Sequence, residues 1–362
     1  MGRILTLDDL DFALRGGAVF AAGGGGWTEH GRMLGHAAVT IGRPELVGID
    51  ELADDDLVAT AAAIGAPAGT TDWEMLGVDY ARAVSLVQER LGRPLAGLMI
   101  GQNGMSSTVN AWLPAALLGM KVVDAVGDIR AHPTGDMGSI GMASSPEPMI
   151  QAVAGGSRSR GAYIETVAVG ATALASPILR TAAHMSGGFI ASCRNPLPAS
   201  YVKSHAALGG ISIALALGAA IRDAEPGGGA AVKSAICEAA GGRILATGRV
   251  LHKRVAYTPE AFDIGTIALD TGALEPMTLH VMNEYMAVTI GDQRLASYPD
   301  LIATLDPQGR PVSVGSVEQG AELAILHIDK ARLPLSSSVS DPAVYEIVER
   351  ALGMEMAHYA IS

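Results

Sequence analysis

The first two thirds of the chain alternate short apolar runs with amphipathic segments. The runs 57–64 (LVATAAAI) and 94–101 (PLAGLMIG) are nearly continuous, as strands buried on both faces are. Segment 77–92 (GVDYARAVSLVQERLG) has apolar residues at helical spacing and ends at a glycine, which predicts a helix. Strands alternating with helices in this way predict an α/β domain with a largely parallel sheet.

The N-terminal segment contains a glycine pair, Gly16–Gly17, that predicts the end of a helix. Thr6 is a plausible N-cap for a helix that Gly16–Gly17 would stop, after which 18–20 (AVF) would form a short buried strand. Further along, 203–222 reads as one long helix, and 224–230 (AEPGGGA) as a turn or loop.

From about residue 240 the pattern changes to short alternating runs separated by turn residues such as Gly291–Asp292. This is typical of an all-β module. We therefore predict an α/β domain over 1–239 and a smaller β-rich domain over 240–335. A closing helix over 340–353, with Pro342 in its first turn, would pack back on the first domain.

Composition and charge exclude several function classes. Apolar residues make up 49% of the 362 residues, and the net charge is -12, which disfavours nucleic acid and an anionic membrane surface as partners. The longest apolar run, 206–221, is interrupted by Gly209–Gly210 and is too short to span a membrane. Two cysteines form no disulfide framework, so a cytoplasmic location is expected. No metal-binding spacing is present, and we predict no metal site.

Four consecutive glycines, Gly23–Gly26, precede a predicted helix. A loop of this kind can hold an anion with its backbone N–H groups, or can simply let two elements pack closely. The run does not satisfy G-x-G-x-x-G and is not followed by G-K-[ST], so dinucleotide binding is disfavoured. Gly24, Gly25 and Gly26 remain candidates for binding a small ligand.

Polar residues that could carry chemistry follow the predicted strands. Asn103 comes after one strand, and could equally be part of a turn. Asp124, Asp128 and Arg130 come after the next, together with a histidine, and could equally form an ion-pair network. His184 lies on a helix rich in small residues, where a satisfied core histidine is the alternative.

Several stretches in order along the chain resemble the S-methyl-thiohydantoin desulfurase-like family, whose members occur beside or fused to hydantoinase/oxoprolinase-type proteins. The similar stretches are AAGGGGWTEHGRML, VGIDELADDDLVATAAAIGAP, NGMSSTVNAWLPAALLGMKVVDAVGDIRAHP, AAHMSGG, SIALALGAAI, VMNEYMAV and PDLIATLDPQGRPV. The resemblance implies an N-terminal α/β domain and a smaller C-terminal β domain.

The chain departs from the family at one motif. Where the family usually reads Asp-Ala-Asp-Gly-x-Gly-Arg-Ala, residues 124–131 read DAVGDIRA, so Val126 replaces the second acid and Ile129 a glycine. If the second acid has a functional role in the family, Asp128 would have to perform that role in this chain.

The leading hypothesis is a hydrolase or desulfurase that acts on a small cyclic amide or thioamide, such as a thiohydantoin. Asp124 or His184 would be the base, with Asp128 as the compensating acid, and Asn103, Arg130 and the glycine amides would position the ring. The alternative is a non-catalytic partner subunit of a hydantoinase/oxoprolinase-type enzyme, and a nucleotide-binding oxidoreductase ranks third. We expect a homo-oligomer, and the sequence names no cofactor.

Overall fold

The computed structural model describes residues 2–65, 73–258 and 260–362, which form two sheets and ten helices. The strands of the first sheet are β1 (Arg3–Ile4), β2 (Glu45–Val47), β3 (Leu57–Gly65), β4 (Gly97–Gln102), β5 (Lys121–Asp128), β6 (Met149–Gly155), β7 (Ile164–Gly170), β8 (Phe189–Pro198) and β9 (Ala207–Leu208). The helices are α1 (Leu7–Phe20), α2 (Thr28–Ile41), α3 (Gly77–Leu91), α4 (Trp112–Leu118), α5 (Thr172–Met185), α6 (Ala199–His205), α7 (Gly210–Ala224), α8 (Gly228–Ala240), α9 (Glu346–Leu352) and α10 (Ala357–Ile361). The second sheet contains β10 (Arg243–Tyr257), β11 (Asp263–Asp270), β12 (Met277–Met282), β13 (Glu284–Ile290), β14 (Gln293–Ser297), β15 (Leu301–Leu305) and β16 (Glu322–Ile328).

The first sheet is mixed and has the order β1-β2-β5-β4-β3-β8-β6-β7, with β9 paired to β5. The sheet is parallel across the group β2-β5-β4-β3. All its other strand pairs are antiparallel. The α/β class predicted for the first domain is confirmed, and its parallel part is the centre of the sheet. The carboxyl ends of β3, β4 and β5 therefore lie side by side at one edge.

Helix α1 does not stop at the first glycine pair, as the sequence pattern had predicted, but continues to Phe20. The residues 18–20 are therefore its last turn and not a strand. The reason is a close approach by α7: a Cβ at Gly16 would overlap the carbonyl of Ala214, and one at Gly218 would overlap the carbonyl of Phe12. The stability that glycine costs a helix is offset here by helix–helix packing.

The predicted single helix over 203–222 is interrupted. Helix α6 ends at His205, the two-residue strand β9 pairs with β5, and α7 starts after Gly209, whose φ is 73°. The following glycine-rich segment, predicted to be a loop, forms the start of helix α8 from Gly228. Here tertiary packing outweighs the low helix propensity of glycine.

The second sheet is antiparallel throughout, in the order β14-β13-β12-β11-β10-β16-β15. This confirms the predicted smaller β domain at the C-terminal side, and its first strand begins at Arg243. The limits chosen for the two domains stay a prediction. Helix α9 is capped by Gly353 as expected, but it packs on β11 and β12, with Met137 from the first domain in the same apolar cluster.

The two domains are joined by buried hydrogen bonds. The Arg130 guanidinium donates to the carbonyls of Tyr285 and Asp300 in the second domain, at 2.8 and 2.6 Å. The backbone N–H groups of Tyr285 and Val314 donate to carbonyls of the loop between α1 and α2. A search of the described part of the chain finds no helix long and apolar enough to cross a membrane.

Candidate functional site

A cleft of about 80 Å³ lies at the carboxyl edge of the parallel strands. Its walls come from the ends of β3 and β4, the loop after β5, the glycine run and strand β8, and Asn283 and Glu284 of the second domain close it. Ligands of open α/β sheets bind at this edge. A volume of this size holds roughly five to eight water-sized groups, which suits a small ring.

The glycine run joins α1 to α2, not a strand to a helix, and two of its members line the cleft. Gly25 has a φ of 72°, and a Cβ there would stand 2.6 Å from the Cα of Gly104. A Cβ at Gly24 would overlap the Glu284 carboxylate. The run therefore packs tightly against the loop after β4, as one of the two alternatives predicted, and it brings Gly25 and Gly26 to the cleft wall. Ligand binding by these glycines stays a prediction.

Glu284 contributes a carboxyl group to the cleft wall, and the pKa of this carboxyl is strongly raised. It is 3% exposed, and burial raises its pKa to about 8, against the opposing effects of Arg130, Arg180 and the Gly25 backbone N–H. Its Oε2 atom has no hydrogen-bond partner among the described residues. The preceding residue, Asn283, has a φ of 57° in the tight β12–β13 turn, and this turn directs Glu284 toward the first domain. A carboxyl with this pKa can accept or donate a proton near neutral pH.

Arg194 faces the cleft from β8, where it lies opposite Thr60 of β3 and Gln151 of β6. It is 6% exposed, and its Nε and Nη1 atoms have no acceptor within the described ranges. Burial lowers its pKa to about 10, with the Asp136 carboxylate acting in the opposite direction. A buried guanidinium without an acceptor is costly unless a ligand supplies one.

Asp128 lies behind the cleft and contacts one of its wall residues. The Tyr298 hydroxyl donates to the Asp128 carboxylate at 2.6 Å, and the His132 Nδ1 atom is 3.7 Å from the same carboxylate oxygen. Burial raises the pKa of Asp128 to about 6 and lowers that of His132 to about 3. His132, which lines the cleft, is therefore a neutral imidazole near pH 7.

Asn103 and Arg130, predicted to bind substrate, make structural hydrogen bonds instead. The Asn103 amide donates to the carbonyls of Ile129 and Gly210, and its oxygen accepts from Thr108. The Arg130 bonds to carbonyls join the two domains, as described above. Neither side chain lines the cleft. Both were predicted from their position after a strand, and that position does not determine which way a side chain points.

Asp124, predicted to be the base, is not in the cleft. Its carboxylate accepts hydrogen bonds from the backbone N–H groups of Ile211 and Ser212 and from the Ser212 hydroxyl, so it caps the first turn of α7. Strand β5 continues beyond Asp124 to Asp128, and the end of the strand that reaches the cleft is four residues further on. The predicted strand end was too early in the sequence.

We expect Asp124→Ala to lower the free energy of unfolding by about 1 kcal/mol while leaving turnover within about threefold of wild type, because the side chain caps a helix. Chemical denaturation and rate measurements on the same preparation check this. Asp124→Asn, which keeps an acceptor oxygen, is the matched control and should lose less stability. A folded Asp124→Ala protein without activity would restore Asp124 to the catalytic machinery.

His184 lies on the exposed side of α5, and its Nδ1 atom is 3.4 Å from the Tyr257 hydroxyl. It lines a second cavity of about 480 Å³, which borders the cleft at Arg180 and Arg194. The structure thus separates His184 from the glycine run and from Asp128. In the described ranges no group of three or more His, Cys, Asp or Glu residues is placed to hold a metal ion.

Glu284 and Arg194 were not among the residues selected from the sequence. Each is the one charged residue of a mainly apolar segment, VMNEYMAV and FIASCRNPLP, and a charge in such a place indicates a candidate buried functional group. Asn110, whose Oδ1 atom lacks a partner among the described residues, is a further polar group in the cleft wall.

Comparison with known proteins agrees with this architecture. A solved structure described as an X-ray crystal structure of a protein from Chromobacterium violaceum superposes with a TM-score of 0.69, at 22% sequence identity, over 98% of this chain and 96% of that chain. At this identity the similarity establishes the fold alone. The comparison with curated proteins gave no match.

Two family models match consecutive parts of the chain. The model described as S-Me-THD-like, N-terminal domain, matches residues 8–160, and the one described as S-Me-THD-like, C-terminal domain, matches residues 171–337. Together they span all of the second sheet and seven of the nine strands of the first sheet. The chain belongs to the S-Me-THD-like family.

Proposed function

We propose that this protein is a hydrolase that acts on a small cyclic amide or thioamide, such as a thiohydantoin, and removes the sulfur substituent of the ring. The observation that carries the proposal is the pair of unsatisfied groups in the buried cleft. One is a carboxyl with a pKa of about 8, and the other is a guanidinium whose Nε and Nη1 atoms have no acceptor among the described residues. Membership of the S-Me-THD-like family supports a thiohydantoin-related substrate.

The reaction we propose needs one base and one donor to the ring. Ionised Glu284 removes a proton from water as its oxygen bonds to the ring carbon that carries sulfur. Negative charge then develops on the ring and is stabilised by the free N–H groups of Arg194. The carbon–sulfur bond then breaks, and Glu284 returns the first proton to the leaving sulfur. The second proton of the water leaves the new hydroxyl as the carbonyl forms, and it passes to the ring nitrogen of an S-methylated ring or to the sulfide released from an unsubstituted one. The cofactor is left open, and these steps use only groups of this chain.

The Asp128–His132 pair has a supporting role in this scheme. The neutral imidazole of His132 offers the ring one hydrogen-bond donor and one acceptor, and Asp128 lies 3.7 Å behind it. Gly25 and Gly26, which line the cleft, would form part of the wall around the ring.

The test is direct. The purified protein is mixed with an unsubstituted and an S-methylated thiohydantoin, and release of sulfide or thiol is followed together with the ring absorbance. We expect release above the protein-free rate, and the sulfur-free hydantoin product. No release from either compound between about pH 6 and 9 would contradict the proposal.

The alternative is a non-catalytic subunit of a hydantoinase/oxoprolinase-type enzyme, and it rests on the replacement of the second family acid by Val126. That residue is fully buried and packs against Gly210 at the start of α7, outside the cleft wall. Its replacement leaves the groups of the cleft in place, so the hydrolase is the better supported function. Absence of turnover together with a stable complex with such an enzyme would favour the alternative.

A further inference from the structure

The first sheet ends in a strand whose outer edge has no partner strand in the described part of the chain. Strand β7 pairs with β6 along all seven of its residues and is the last strand in the sheet order. None of its backbone groups makes a further hydrogen bond to another part of the described chain. Its outward N–H and C=O groups are therefore available to another strand.

The side chains of β7 do not protect this edge. Val167 and Val169 are 37% and 48% exposed, and the strand contains no lysine and no proline, which are the residues that usually block edge pairing. Its one charged residue, Glu165, is held by Arg82 on the adjacent helix. An apolar open edge of this kind favours pairing with another strand over solvent exposure.

Helix α5, which follows β7 directly, adds a second apolar surface. Leu174, Ile178 and Met185 are 74%, 53% and 66% exposed, and their spacing places them along one side of the helix. The only Lys, Arg, Asp or Glu of α5 is Arg180, which is turned inward and donates to the carbonyls of Pro133 and Ala261. The exposed side of α5 is thus free of acidic and strongly basic groups.

The lack of unpaired charge on β7 and on the exposed side of α5 favours a second copy of this chain as the partner. The chain has a net charge of -12, so two copies repel each other through most of their surfaces. They can approach most closely where each presents a surface without net charge. A two-fold axis lets the same strand and the same helix meet their own copies, which is the commonest symmetry of soluble oligomers.

We propose that the protein forms a two-fold dimer in which β7 pairs antiparallel with β7 of a second copy, and α5 packs beside α5 of that copy. The inference does not depend on the proposed reaction. The pairing satisfies the open backbone edge and removes Val167 and Ile178 from water in one interface. It joins the two first-domain sheets into one continuous sheet.

The experiment measures the mass of the full chain in solution at about 100 µM, well above the dissociation constant of a stable dimer. We expect a dimer for the wild type and a monomer for Val167→Lys, because a charge on the edge strand opposes pairing. Ile178→Glu should likewise give a monomer. Leu274→Glu is the matched control, since Leu274 is fully exposed on the β11–β12 loop and should leave the dimer intact.

Circular dichroism and thermal melting show whether each variant is folded. If Val167→Lys does not fold, Ile178→Glu decides the result by itself. A monomeric wild type would overturn the proposal and leave this edge to a strand of a different protein. A folded Val167→Lys or Ile178→Glu protein that stays dimeric would overturn it too.

Discussion

Glu284→Gln should lower kcat/KM by at least ~100-fold, because general acid–base catalysis contributes about two to four orders of magnitude. The amide has nearly the shape of the carboxyl, so the cleft keeps its form while the proton acceptor is lost. Burial holds the pKa of Glu284 near 8, which leaves about a tenth of the carboxyl ionised at pH 7. The wild-type rate should therefore rise with pH and level off above about pH 8.

A pH–rate profile of both proteins is the measurement. The residual rate of Glu284→Gln should lack the rise near pH 8, while Glu284→Asp, which keeps a carboxyl at a shorter reach, should retain a reduced one. Wild-type turnover in a folded Glu284→Gln protein would exclude Glu284 as the base.

Glu284→Gln should lower activity but raise stability relative to wild type at high pH. The pKa of Glu284 is raised on folding from an ordinary value of 4.5 to about 8, so the folded state holds its proton more tightly than the unfolded chain. The stability from this protonated form is complete below about pH 4.5 and is lost as the pH rises through 8. As the pH is raised to 9, the free energy of unfolding of the Glu284→Gln protein should therefore increase relative to that of wild type, by on the order of 1 kcal/mol or more. Thermal melting of both proteins across this pH range is the measurement.

Arg194→Met should weaken binding of the ring by at least ~30-fold, since a buried charge-assisted hydrogen bond is worth about 2 kcal/mol or more in a complex. The free protein should nevertheless be as stable as wild type or more so. In the described part of the chain the Nε and Nη1 atoms of Arg194 have no acceptor, and burial lowers the pKa of this guanidinium to about 10. Methionine fills a similar volume without that cost.

Arg130→Met is the matched control for this substitution. Arg130 is also fully buried, but its guanidinium donates to the carbonyls of Ala131, Tyr285 and Asp300. Its loss leaves buried acceptors unsatisfied and should lower stability by several kcal/mol, whereas Arg194→Met should not. Ligand titration and thermal melting on both variants separate the two roles. A large loss of stability in Arg194→Met, with unchanged affinity, would show that Arg194 is structural.

The periodicity of the chain was sufficient to predict elements whose residues depend on local pattern. Strands β3, β4 and β5, helix α3 with its cap at Gly92, and the antiparallel second sheet all follow the predicted periods. Burial on one face or on both imposes these periods directly on the sequence. The glycine pair in α1 misled the same method, because a glycine signals a break locally and a close helix contact only when the partner helix is known.

The candidate site was less accessible to sequence reasoning. The pattern indicated the correct edge of the sheet, and two glycines of the run do line the cleft. It assigned polar roles by distance from a strand end, however, and Asp124, taken to lie at the end of its strand, is four residues before the end of β5. In the structure Asp124 instead caps helix α7, and Asn103 makes structural hydrogen bonds.

By itself the sequence determined the class of the two domains, the family resemblance and the edge of the sheet at which the cleft lies, because these depend on periodicity and on ordered motifs. Tertiary structure alone decided which polar groups are left without a partner. Glu284 and Arg194 come from different domains, and among the described residues the Oε2 atom of Glu284 and the Nε and Nη1 atoms of Arg194 are buried without a hydrogen-bond partner. Burial and unmet hydrogen bonds are properties of the packed molecule, so no local pattern encodes them.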